Sequence, residues 1–251
     1  LVTAASWSGL VYHVNKALGQ QGQTQLANGS NIGIVSGETV TSFANVLTGT
    51  TQINSTALTF AARGSTTTGS NLTGTVSAPA AALVGGARTA TFASADQARY
   101  FFNAGGQLNY HISTSTSGGS GSNQSVIRLI NAVGGYGMLA ANCTGRFGSG
   151  LTITTNETSG GYYDFPTSNQ NRVKITDTGG TYTSNHLALR VVNNADTTRG
   201  ANGTTVKMEF EFGIQDKPFD DAISVAWVVR MDIVKPSTTY LSDVWGSISI
   251  S

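Results

Sequence analysis

The sequence predicts a mainly β protein: an antiparallel sandwich or jelly-roll-like domain with a few short α-helices and an N-terminal helix or arm. Three observations predict it. From Gly134 to the end, apolar residues recur with a period of two; Val206, Met208, Phe210, Phe212 and Ile214 alternate with Lys207, Glu209 and Glu211, which is the pattern of a half-buried antiparallel strand. Short runs of this kind are separated by Gly/Ser/Asn loops, which suits two packed sheets. Helical periodicity is confined to brief stretches, and no internal repeat marks a solenoid or propeller.

Taken in order, Thr3 can cap a first helix on which Trp7, Leu10, Val11, Val14 and Leu18 form an amphipathic stripe. A polar connector, QQGQTQLANGSN, follows it. A second helix is expected over residues 36–48, with Val40, Phe43, Ala44 and Leu47 on one face and Gly49 after it. Residues 55–93 are rich in Thr, Ser, Gly and Ala. Strands are expected at Ala57–Ala61 and Leu72–Val76, residues 80–84 are ambiguous, and the stretch reads either as β structure or as an extended arm.

Ser94 to Gly106, SADQARYFFNAGG, is the densest local signal. Ser94 caps a helix, with Gln97 at the capping-box position. Ala95, Ala98 and Phe102 share helical spacing, and Tyr100 and Phe101 widen the apolar surface. Gly105 and Gly106 close the helix, because glycine enters the left-handed region without a Cβ penalty. Leu108, Tyr110 and Ile112 then alternate with polar residues as a strand. After a Ser/Gly/Thr loop, Val126, Leu129, Ile130 and Val133 predict a helix closed by Gly134 and Gly135. Strands are expected at Met138–Thr144, Leu151–Thr155, Arg172–Asp177 and His186–Val192, then over 206–214, on a long central run from Ile223 to Ile233, and at Ile248–Ile250. The helices at 94–104 and 122–133 should cover an open end of the sandwich. This organisation divides the chain into a helical docking segment and linker (1–50), a Thr/Ser/Gly-rich arm or strands (51–93) and a β-sandwich domain (94–251).

The nonapeptide A-R-Y-F-F-N-A-G-G, Ala98 to Gly106, followed by its alternating strand, resembles a motif of structural proteins of tailed bacteriophage particles. The T-A-A-S-W-S-G-L-V start, the N-H-L-A-L-R-V strand, and the I-Q-D run before D-D-A-I-S-V are similar as well. The resemblance covers most of the chain, with residues 20–90 outside it, and its specific part is Ala98, Arg99, Tyr100, Phe101, Phe102, Asn103, Gly105 and Gly106. It implies a virion component, placed in the tail, neck, baseplate or a short appendage.

Composition narrows the function classes. Charged residues are 11% of the chain, against about 25% in ordinary soluble domains. With 39% hydrophobic residues and a net charge of +1, the chain is not of the disordered class. A weakly charged surface repels its own copies little, which suits a subunit packed among many and equally suits a secreted adhesin. Arg and Lys are scattered singly, so no basic face for nucleic acid is expected. No apolar run approaches the roughly 18 residues of a membrane span. The start, LVTAASW, has neither a basic stretch nor a methionine, which fits a processed chain or the ordered part of a longer one.

Signals for chemistry are sparse. The single cysteine, Cys143, excludes an intrachain disulfide framework and sits in a strand pattern, as a buried inert thiol would. His13, His111 and His186 lie on polar faces and show no zinc spacing. Nucleophile-elbow and P-loop motifs are absent. Asp216, Asp220 and Asp221 cluster in a turn held by Pro218, where turn capping competes with an oxygen-rich cation site. Asp164 stands alone among aromatics. In GGYYDFP, Tyr162, Tyr163 and Phe165 suit sugar stacking or protein contact, and equally a loop tucked into a core.

The expected function is therefore a non-enzymatic, cofactor-free virion component that docks on its own copies and on other virion proteins. Trp7 and the first helix are the candidate anchor. The alternative is a receptor- or glycan-binding module of a tail fibre, with loop 160–166 contacting a host-surface glycan.

Overall fold

The computed structural model describes residues 4–26, 43–55, 63–77, 82–139, 143–156, 170–193, 203–214 and 222–251. Within them lie helices α1 (Ala4–Gln20), α2 (Phe43–Ser55), α3 (Ala95–Asn103) and α4 (Gly121–Val133). The strands are β1 (Thr66–Thr67), β2 (Leu72–Ser77), β3 (Ala82–Phe92), β4 (Gln107–Ser113), β5 (Gly135–Leu139) and β6 (Cys143–Arg146). They continue as β7 (Ile153–Asn156), β8 (Gln170–Thr176), β9 (His186–Asn193), β10 (Thr205–Gly213), β11 (Ser224–Val234) and β12 (Ile248–Ile250). Two compact units result: Leu1–Ser65 with Lys235–Asp243, and Thr66–Val234 with Val244–Ser251.

The larger unit holds two antiparallel sheets of six strands each. In one, β11 is central: β1 and β2 pair with one side of it, and β4, β5 and β6 follow on the other. The second runs β12-β3-β10-β9-β8-β7. The registers place the predicted apolar rows together. Val229 pairs with Ile112, Met231 with Tyr110 and Ile233 with Leu108; Phe212 pairs with Leu187, Phe210 with Leu189 and Met208 with Val191. All twelve side chains are buried. The sheets meet face to face, with Phe210 of β10 edge-on to Trp227 of β11 at 5.0 Å between centroids. This is the sandwich the alternation predicts.

One backbone position makes that packing possible. Opposite Glu209, β3 bulges between Gly85 and Arg88, and Gly86 takes a φ of 64°. The Tyr110 hydroxyl crosses from the other sheet and donates to Gly86 O at 2.8 Å. A Cβ on Gly86 would stand 2.7 Å from that hydroxyl and inside the Phe210 ring. Burial pushes the Tyr110 phenol well above its ordinary range, with Glu209 adding to the shift and Arg88 opposing it, so the hydroxyl stays a donor.

Several expectations change. Met138–Thr144 is not one strand: β5 and β6 pair antiparallel, Met138 against Cys143, so the chain reverses between them. Residues 72–77 and 82–92 are strands, one in each sheet. The candidate strand Ala57–Ala61 lies outside the described residues. Of the two helices meant to cover an end, α4 packs on strands of both sheets, β4 and β11 as well as β8 and β9, whereas α3 packs on β3.

In the smaller unit, α1 and α2 enclose a core of Val11, Val14, Leu18 and Val46, with Trp7, Leu26 and Ile53 against it. The second helix differs from its prediction. Residues 36–42 are outside the described residues, and α2 continues through Gly49 to Ser55. Its buried face carries Val46, while Ala44 and Leu47 face outward. Gly49 is tolerated mid-helix because a Cβ there would press to 3.1 Å from Val14 Cγ1 and 3.4 Å from Leu26. The glycine, expected as a stop, is a point of close helix approach. The start of the polar connector is also built in: Asn15 accepts from Leu26 N–H at 2.6 Å and donates to Leu26 O at 3.0 Å.

Candidate functional site

The nonapeptide is used for structure at most of its positions. The Ser94 hydroxyl accepts from Gln97 N–H at 3.1 Å and starts α3. Ala98, Phe101 and Phe102 are fully buried. Phe101 and Phe102 stack edge-on at 5.0 Å and both meet Phe92 of β3, at 5.5 and 5.8 Å. The helix ends in a Schellman arrangement: Gly105, at φ 93°, bonds Phe102 O, and Gly106 bonds Phe101 O. Gly106 has a second reason to be glycine, since a Cβ would meet the Phe101 ring at 2.6 Å. Tyr100 departs from expectation: it is 41% exposed, with Arg99 beside its ring, and adds nothing to the core. Arg99 pairs with Asp96 across one turn at 2.7 Å, and Asn103 is exposed.

On α1, Val11, Val14 and Leu18 are buried, but Leu10 is 43% exposed and falls off the stripe. Trp7, the candidate anchor, is partly buried against the core of its own unit. Among the described residues of this unit, Leu10 and Leu47 (56% exposed) present apolar surface. The candidate loop residues Tyr162, Tyr163 and Phe165 lie outside the described residues, as do Asp164, Asp216, Asp220 and Asp221. Cys143 lies in β6.

His13 is exposed, edge-on to Tyr12. His111 stacks on Phe147 at 5.1 Å and approaches Asp232 at 3.2 Å. Asp232 is nearly buried. It also binds both arms of Arg230, at 2.8 and 3.0 Å, and the Gly69 N–H. Burial lowers the His111 pKa, with Arg230 adding to the fall and Asp232 opposing it. His186 lies over Gly213 and near Glu211, which pairs with Arg190. Burial and then Lys174 lower its pKa, against Ser184 and Glu211. Both imidazoles thus favour the neutral form more than a free histidine does. Among the described residues, no group of three or more His, Cys, Asp or Glu is placed to hold a metal ion. Among them, too, no helix is long and apolar enough to cross a membrane.

A polar constellation that the sequence reading did not find joins α4 to the β8–β9 loop. Asp177, at the end of β8, is fully buried. It accepts from Ser125 Oγ at 2.5 Å, from Arg128 Nη2 at 2.5 Å and Nε at 3.3 Å, and from Gly179 N–H at 3.0 Å. Asn185 donates to Ser125 Oγ at 3.1 Å, and Ser122 donates to Tyr182 at 2.8 Å. Burial pushes the Asp177 carboxyl up, but the bonds from Arg128, Ser125 and Gly179 outweigh it, and the pKa falls below the usual value. Beside this clamp is an open cleft of about 430 Å³, lined by Arg128, Asn131, Ser149, Leu151, Thr152 and Thr178. Ser125 and Arg128 lie one turn apart on α4, a spacing visible in the sequence. Their convergence on Asp177 was not visible, because 49 residues separate Arg128 from its partner.

No family model matches the chain, and no curated protein or solved structure is significantly similar to it.

Proposed function

We propose that the chain is a non-enzymatic structural component of a tailed phage particle, in the tail, neck, baseplate or a short appendage, acting by docking on its own copies and on other virion proteins. The observation that carries this reading is the use made of the nonapeptide. Ala98, Phe101, Phe102, Gly105 and Gly106 go into the core and the helix stop, so most of the stretch that resembles virion proteins serves to set shape. The small helical unit supports docking: its core is closed by α1 and α2, yet Leu10 and Leu47 remain on its surface. An apolar side chain at the surface is available to be buried in a subunit contact.

Gold-labelled antibody to this chain, applied to intact particles from its source, tests the placement. Label at one fixed position on a tailed particle is expected; particles without label overturn the reading. Leu10→Asp with Leu47→Asp should block self-association in sedimentation while leaving the fold intact, and unchanged association removes the helical unit from docking.

A further inference from the structure

We propose that the cleft between α4 and residues 149–152 is a binding site for a neutral saccharide. The proposal is independent of where the chain resides. It rests on two walls that are fixed before any ligand arrives and on the chemistry they present.

The first wall is α4. Arg128 is half-exposed, yet its guanidinium is held on two nitrogens by the fully buried Asp177, and Nη2 also reaches Gly179 O at 3.4 Å. A side chain on Gly179 would press on the guanidinium at 3.2 Å, so the glycine lets Arg128 lie flat against the loop. Among the described residues, Nη1 has no hydrogen-bond partner, and Arg128 lines the cleft. Asn131 follows one turn later, exposed at the same cleft. The second wall is the β6–β7 connection. Phe147 N–H bonds Gly135 O at 3.0 Å, and Gly148 N–H bonds Val133 O at 2.8 Å. Gly148 passes so close to the end of α4 that a Cβ would stand 2.5 Å from Asn131 O. Gly150, at φ 106°, then turns the chain away and opens the space that Ser149 and Thr152 line.

Arg128, Asn131, Ser149, Thr152 and Thr178 line one small volume together with the apolar Leu151 and Ala132. Such a set offers donors and acceptors at short spacing, as vicinal sugar hydroxyls require. The size is within the roughly 300–1,000 Å³ of small-molecule sites. Arg128 is the charged residue of the lining, and its ion pair with the buried Asp177 offsets that charge and weakens its pull on an anion. A sugar acid or a phosphate would have to be held against a carboxylate that the fold does not release. Positioning the donors beforehand lowers the ordering cost of binding.

The test uses the full chain labelled with nitrogen-15, titrated separately with methyl α-mannoside, methyl β-galactoside and methyl β-N-acetylglucosaminide, and with glucuronate and inorganic phosphate. At least one neutral glycoside should shift the amides of residues 149–152 and Thr178 in a saturable way, and more tightly than either anion. Asn131→Ala with Thr152→Ala, both at exposed positions, should fold as the parent and weaken that binding roughly tenfold, as the loss of one or two ligand hydrogen bonds does. Three outcomes overturn the proposal: no neutral glycoside shifts these amides, the double variant binds unchanged, or an anion binds more tightly than every neutral glycoside.

Discussion

The two compact units hold themselves together by different means. The helical unit encloses four fully packed aliphatic residues, Val11, Val14, Leu18 and Val46, helped by Trp7, Leu26 and Ile53. Asn15, Gln21 and Gln25 tie its connector down by hydrogen bonds to backbone carbonyls. The sandwich instead buries fully Tyr110, Tyr136, Phe101, Phe102, Phe210, Phe212 and Trp245, and every pairing within its sheets is antiparallel. It has a polar clamp at Asp177 as well. A small aliphatic core leaves little margin, whereas burial of many aromatics gives a large one. The comparison predicts that the helical unit melts first and that the two units can be broken separately. Fluorescence distinguishes them, since Trp7 lies in one unit and Trp227 and Trp245 lie in the other.

The largest effect is expected from Phe102→Ala, which removes a ring shared with Phe92 and Phe101. It should cost the sandwich about 3–5 kcal/mol, read as a lower denaturant midpoint for Trp227 and Trp245 with the Trp7 transition unmoved. An unchanged sandwich transition would take α3 out of the core. Leu18→Ala should do the converse. It deletes a fully buried residue of the helical core and should cost that unit about 2–4 kcal/mol, enough to unfold it alone. If all three tryptophans then report one shifted transition, the units are not separable.

Gly86→Ala is next. The left-handed backbone disfavours a Cβ, and the Cβ would collide with Phe210 and the Tyr110 hydroxyl, for a combined cost of roughly 2–3 kcal/mol. Stability equal to the parent would show that the bulge relaxes. The smallest effect sharpens the comparison through pH. Asp177 has a folded pKa below its unfolded value, so the unfolded chain binds the proton more readily. The stabilisation is present above the unfolded value of about 3.9 and is lost as pH falls through the folded one. Asp177→Asn should flatten the acid limb of the sandwich's stability profile and leave that of the helical unit alone. An unaltered limb would mean that Arg128 does not hold the carboxylate in solution.

Much of the fold was legible residue by residue. Alternation identified β10 and β11 because a strand buried on one face must alternate, and the capping serine with the Gly-Gly stop bounded α3, because cap chemistry is local. The errors fall where a distant partner decides. Leu10 and Leu47 sit at plausible apolar positions, but a small helix pair can cover only one narrow stripe on each helix, and Val11 and Val46 occupy it. Gly49 reads as a stop only while its neighbour Val14 is unknown. The division of 138–144 between β5 and β6 was hidden because Met138 to Ala141 reads as an unbroken apolar run. Of the cleft, nothing local gave notice: Arg128 and Asn131 look like solvated helix residues, and Ser149 and Thr152 like ordinary loop.

The sequence by itself determined the mainly β class, most of the strands, the Ser94 cap of α3, the glycine stops of α3 and α4, and the apolar rows, since each depends on neighbours within a few positions. The tertiary structure alone decided which sheet each strand joins, the bulge at Gly86 under Tyr110, and the capture of Arg128 by Asp177. Those outcomes depend on groups 24 and 49 residues apart in the chain, whose meeting is fixed by packing and by the need to satisfy buried polar atoms.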